Sequence, residues 1–116
     1  MSLLGFPIYR GGTSDDGLTL TAAIAAFNAD NPILDVLATR VRLKRTAPTH
    51  GGEYHGPCPL CGGNDRFMAW PQHPDGPRAW CRQCNAYGDA LTWAMRLAGI
   101  DPKQRGATAR FLKHNG

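Results

Sequence analysis

Residues 18–28 carry apolar side chains at helical spacing, with Leu20, Ile24 and Phe27 on one side of an alanine-rich run that favours helix. Asn31-Pro32 ends that run and reads as a fresh start. Asn31 is the expected N-cap, Pro32 lies in the first turn, and Ile33, Leu34, Val36 and Leu37 give a stripe to about Thr39. The period then drops to two. Val41, Arg42, Leu43, Lys44 and Arg45 alternate apolar with basic, the pattern of a half-buried strand, and residues 46–52 read as its turn. Short extended segments follow at 53–55, 66–70 and 78–81, separated by Gly, Pro and Asn clusters, which predicts an antiparallel ribbon. Beyond them the helical period returns. Asp89 caps a helix with Leu91, Ala94, Met95 and Ala98 facing inward, Trp93 and Leu97 beside them, and Gly99 as its stop. Asp101-Pro102 repeats the cap-plus-proline signal ahead of a last short helix anchored by Phe111 and Leu112. Residues 1–17 show neither period and read as a loose arm.

These elements define an α+β chain: a small antiparallel sheet flanked by N-terminal and C-terminal helices. The expected divisions are the arm at 1–17, a helical lead-in at 18–40 and a ribbon domain with C-terminal helices at 41–116. Composition sharpens this picture. In 116 residues, 42% of them hydrophobic, 14 Gly and 9 Pro leave room for only a marginal core, and chains of this size often add a metal or disulfides as a staple. The most apolar stretch, near 18–27, is broken by Thr19 and Thr21 well short of the roughly 20 residues a bilayer span needs. With no secretory leader pattern either, a cytoplasmic, reducing compartment is expected, with no membrane partner.

Four cysteines supply the staple. Cys58-Pro-Leu-Cys61 and Cys81-Arg-Gln-Cys84 form C-x2-C-x19-C-x2-C, the spacing of a four-thiolate zinc site. A two-residue spacer lets both sulfurs of a turn point at one ion, and the intervening hairpin brings the second turn back to complete a tetrahedron. Gly62, Gly63 and residues 85–88 supply the tight bends after each pair. Two disulfides, or one redox-active pair, are the alternatives; compartment and spacing favour one structural Zn2+. His55 and His73 could compete as ligands, but four thiolates already close the shell, leaving no open position for hydrolytic chemistry.

Strand alternation places Arg66, Met68 and Trp70 on one face of the ribbon, opposite Phe67 and Ala69, and puts Arg78, Trp80 and Arg82 together on the next strand. Arginine interleaved with tryptophan is suited to single-stranded nucleic acid, guanidinium to phosphate and indole to base. The bland alternative is that Trp70 and Trp80 cap the core and the arginines are solvated. Residues 58–116 carry the entire formal charge of +4. Four thiolates around a divalent zinc reduce that to nearer +2, so global charge is a weak argument and the local pairing of arginine with tryptophan the stronger one.

Several segments together resemble the zinc-ribbon domain of phage and plasmid primases and primase-helicases, a relative of the N-terminal zinc domain of bacterial replicative primases. They are residues 55–63 (His-Gly-Pro-Cys-Pro-Leu-Cys-Gly-Gly), Asp65-Arg66-Phe67, Trp80-Cys81-Arg82-Gln83-Cys84 and Tyr87-Gly88-Asp89-Ala90. The likeness spans about residues 31–113. It implies a module that binds single-stranded template DNA, helps choose the primer start and presents template to a separate catalytic domain or subunit of the primase, with a helicase as a further partner. It also implies that Cys58, Cys61, Cys81 and Cys84 ligate zinc, that Asp65 and Arg66 organise the hairpin or touch template, and that Trp80 and Arg82 lie at the nucleic-acid face, to which strand alternation adds Trp70 and Arg78. A histidine usual in replicative primases is replaced by Cys61, which points to the mobile-element branch. No Asp-x-Asp pair or nucleophile constellation is present, so neither polymerisation nor a small-molecule substrate is expected of this chain. Docking on a helicase or polymerase, or free-standing regulation of a mobile element, are the competing readings.

Overall fold

The computed structural model describes residues 19–115; the expected arm at 1–17 lies outside the described residues. Helix α1 (Leu20–Asp30) starts at Thr19, whose hydroxyl accepts the Ala22 N–H at 3.1 Å. Its buried residues are Ala23 and Phe27, while Leu20 is exposed, so the packed stripe is turned by about one residue from the expected one. Helix α2 (Ile33–Ala38) has Pro32, not Asn31, at its N-cap. The Asn31 amide instead reaches back to the Phe27 carbonyl at 2.7 Å, satisfying an acceptor left open at the end of α1.

Five strands follow: β1 (Lys44–Ala47), β2 (Glu53–Cys58), β3 (Gly62–Trp70), β4 (Arg78–Cys81) and β5 (Tyr87–Gly88). They form one antiparallel sheet in the order β1-β2-β3-β4-β5, each strand paired to its chain neighbour. The expected strand at 41–45 is displaced toward the C-terminus. Val41 and Leu43 do alternate in burial with Arg42 and Lys44, but ladder pairing begins only at Lys44↔His55. Just before it the chain crosses tightly over β2 at Gly56, where a Cβ would lie 2.7 Å from Leu43 Cδ2 and 2.8 Å from the Arg42 carbonyl oxygen. Strands β2 and β3 are longer than expected, and β5 forms where only a bend was expected.

Helix α3 (Ala90–Leu97) is capped by Asp89, which accepts the Thr92 N–H at 2.9 Å. It ends at Gly99 (φ +79), with Gly99 N–H bonded to Arg96 O and Ile100 N–H to Met95 O, a Schellman arrangement. Its buried residues are Ala90, Leu91, Trp93 and Met95. Ala98, expected inside, is exposed because it already forms the C-cap. Asp101-Pro102 makes a turn, with the Asp101 carboxylate accepting the Lys103 N–H at 2.9 Å, and α4 (Ala107–Asn115) begins only after Gly106.

Two apolar clusters result. Phe67, Ala69, Ala79 and Cys81 from the inner face of the sheet pack with Ile33 and Leu37 of α2 and Ala90 and Trp93 of α3. Trp93 meets Phe67 edge-on at 4.9 Å and donates its indole N–H to Ala79 O at 3.1 Å. The second cluster joins Ala23 and Phe27 of α1, Leu91 and Met95 of α3, and Ala107, Phe111 and Leu112 of α4. Asn28 ties α1 to the start of α3: its side-chain oxygen accepts the Leu91 N–H and its amide donates to Asp89 Oδ2, both at 2.9 Å.

Candidate metal centre and sheet face

Cys58 closes β2 and Cys61 sits in the turn to β3; Cys81 closes β4 and Cys84 sits in the turn to β5. The pairing Phe67↔Cys81 sets the two turns side by side, and the Arg82 N–H extends it by donating to Arg66 O at 3.0 Å. Left-handed backbone at Gly62 (φ +82) and Asn85 (φ 63) turns the chain out of each knuckle. Gly62 thereby fulfils the expected role of a bend after the first pair.

The four Sγ atoms lie within 4.8 Å of one another, with Cys58–Cys84 at 3.8 Å and Cys61–Cys81 at 3.5 Å. Zinc–sulfur bonds of about 2.3 Å in a tetrahedron require sulfurs about 3.8 Å apart, so the cluster fits one ion. Backbone N–H groups from Leu60 and Cys61 approach Cys58 Sγ at 3.3 and 3.5 Å, and Cys84 N–H approaches Cys81 Sγ at 3.4 Å. Such donors stabilise thiolate, the form that binds metal. As free thiols Cys58 and Cys81 differ: burial pushes Cys58 up to about 12. Burial also acts to raise Cys81, but the Cys84 and Gln83 backbone N–H groups outweigh it and bring that thiol to about 7. Cys58 and Cys81 are buried, Cys61 and Cys84 exposed. Arg66 arches over Gly63, its Nη1 3.7 Å from Cys61 Sγ, placing a cation beside an exposed sulfur. The four cysteines form a single structural zinc site with a complete protein shell. His55 and His73 take no part: His55 Nε2 lies 2.6 Å from Glu53 Oε2, and the His73 ring lies against that of His50.

The outer face of the sheet is ordered by cross-strand register. Lys44, His55, Met68, Trp80 and Tyr87 form one row across all five strands, and Trp70 pairs with Arg78 in the next. Tyr87 is 47% exposed, with the Arg78 guanidinium 5.9 Å from its ring centre. The Trp80 indole N–H donates to Asn85 Oδ1 at 2.9 Å, and that of Trp70 to Glu53 Oε1 at 2.7 Å. Both donors are thus satisfied within the fold, leaving the indole rings as the contact surfaces. Arg82 and Asp65, both exposed, pair at 3.1 Å between the ends of β3 and β4. Sequence alternation grouped Trp70 with Arg66 and Arg78 with Trp80. Lys44, His55 and Tyr87 join this face only through register, which no local pattern encodes.

The structure is therefore an α+β four-cysteine zinc ribbon with helices before and after the sheet. Residues 53–91, about a third of the chain, match the family of the zinc-binding domain of primase-helicase; that stretch runs from β2 through the first residues of α3 and contains all four cysteines. No solved structure matches the chain. Among the described residues no helix is long and apolar enough to cross a membrane.

Proposed function

We propose that this chain is a noncatalytic template-binding module of a DNA primase system, holding single-stranded DNA on the outer sheet face for a separate catalytic domain or subunit. The supporting observation is the row Lys44–His55–Met68–Trp80–Tyr87, flanked by Arg78 and Arg82, beside the metal centre and within or next to the matched segment. Flat rings stack on bases without regard to sequence, while the surrounding cations meet phosphates. Zinc holds the two knuckles, and hence the ends of β2, β3 and β4, in one register. On this reading residues 41–116 form the binding unit and 18–40 its helical support. Asp65 and Arg66 act mainly by shaping the knuckle, through the pair to Arg82 and the approach to Cys61.

Anisotropy of a labelled single strand across a salt series tests the reading. Affinity should fall with salt, and W80A and Y87A should each weaken binding by ~1–3 kcal/mol, the range for a lost base stack. Salt-independent binding, or affinity indifferent to both substitutions, would reject it. A second reading, docking on a helicase or polymerase, draws support from a groove of about 640 Å3 at the β1 edge, where Leu34, Val41, Leu43 and Tyr54 adjoin Arg40 and Arg42. It predicts that R42A impairs capture of the replication partner and leaves strand binding unchanged.

A further inference from the structure

Two of the chain's four histidines, His50 and His73, meet at one end of the outer face, and a third, His55, stands on that face beside Glu53. His50, in the turn before β2, lies against His73 of the β3–β4 loop with ring centres 4.5 Å apart and planes tilted by 52°. Both rings meet Trp70 edge-on, at 6.4 and 6.1 Å.

The charges around these rings balance only while the imidazoles are neutral. Glu53 is committed, since it accepts the Trp70 indole N–H and lies 2.6 Å from His55 Nε2. Those hydrogen bonds, Trp70 first, hold its carboxyl below the ordinary value of 4.5. Asp75 Oδ2 sits 3.9 Å from His73 Nδ1, but its side chain is 80% exposed, and that nitrogen already accepts the Asp75 backbone N–H at 3.1 Å. From β1 comes Lys44, opposite His55; from β4 comes Arg78, opposite Trp70, whose charge also acts on Asp89. Around the three imidazoles on this face stand two carboxylates, Glu53 and Asp75, and two fixed cations, Lys44 and Arg78. Each proton the imidazoles take up adds one positive charge to that balance, with Glu53 2.6 Å from His55 and Asp75 3.9 Å from His73. Nor is this a second metal site, because among the described residues only the four cysteines gather three or more suitable ligands.

We infer that the His50–His55–His73 cluster is an anion subsite continuing the sheet face, which takes backbone phosphates of the bound strand when its imidazoles are protonated. This rests on the reading that nucleic acid lies on that face. Imidazole is the side chain whose charge changes between about pH 5 and 8, and each additional phosphate contact releases counterions. Strand affinity therefore rises on acidification, and its salt dependence steepens.

The test uses the zinc-loaded full chain and a labelled oligothymidylate, with salt series at about pH 6 and about pH 8 and zinc content checked at both. Binding should tighten roughly tenfold at the lower pH, with a log–log salt slope steeper by about 1.4, the value for two further single-strand phosphate contacts. H50Q/H73Q should bind as wild type at the higher pH and lose the gain at the lower, each single variant losing part of it. H114Q, near the end of α4, should keep the gain. A wild-type affinity that changes less than about twofold between the two pH values, or a double variant that retains the gain, overturns the subsite. If W80A still weakens binding in that case, the sheet-face reading stands alone. No salt-dependent binding at either pH overturns both.

Discussion

The two apolar clusters are built from similar numbers of side chains but held by different forces. In the helical cluster, Phe27 and Phe111 meet edge-on at 5.9 Å, with Leu91, Met95 and Leu112 around them, and the ends are fixed by ordinary caps. In the sheet cluster two of the buried residues, Cys58 and Cys81, are also metal ligands, and small Ala69 and Ala79 occupy the positions between strands. The alanines bury little area, but Trp93, Phe67, Ile33 and Leu37, the largest fully buried side chains, also belong here, so packing and metal act together, and a structural zinc is worth roughly 10–16 kcal/mol in zinc-finger peptides. A small fold can thus share its stability between one packed face and one ion and leave the other sheet face free for a ligand.

Removing the metal should show the largest effect. Excess chelator should abolish the sheet's contribution to the circular dichroism and lower the melting temperature steeply; unchanged melting would show that packing suffices. Next, L112A should cost ~2–5 kcal/mol by cavity formation, read as a lower melting temperature of the zinc-loaded chain although Leu112 lies in the cluster away from the metal. W93A should cost ~3–5 kcal/mol and also weaken zinc, since Trp93 packs on Phe67 and bonds Ala79 between the knuckle strands.

A smaller effect concerns pH. Burial acts to raise the Asp89 carboxyl, but hydrogen bonds from Thr92 and Asn28 outweigh it and hold the value below the ordinary 3.8. Glu53 is likewise held below 4.5, chiefly by the Trp70 bond. Groups lowered in the folded state stabilise above their unfolded values and lose that contribution as pH falls through the folded ones. Thermal melting should be flat in these groups above about pH 5 and drop below about pH 4, with D89A costing ~1 kcal/mol at neutral pH through the lost cap. Least of all, R66A should leave the melting temperature unchanged and speed zinc loss to a chromogenic chelator a few-fold, because it uncovers Cys61.

The metal centre was legible because its ligands are local: two C-x2-C turns carry their own geometry, and only the hairpin between them had to close. The Asp89 cap and the Gly99 stop were legible for the same reason. What escaped depends on distant partners. Asn31 carries the composition of an N-cap, but the open carbonyl of Phe27 claims its side chain. Strand β1 begins at Lys44 because pairing with His55 decides it, whatever the alternation upstream. The position of Asn28 against α3, and the addition of Lys44 and Tyr87 to the outer face, likewise follow from contacts across the chain.

Helix α3 belongs to both clusters: Ala90 and Trp93 point into one, Leu91 and Met95 into the other. Eight residues therefore form a common wall, and neither half can open without stripping one side of it. Amide exchange in α3 should accordingly proceed only through global unfolding, and its protection should rise and fall with zinc occupancy even at the positions that face the helices. The ion's influence then reaches α1 and α4, which never approach it, through a shared cooperative unit.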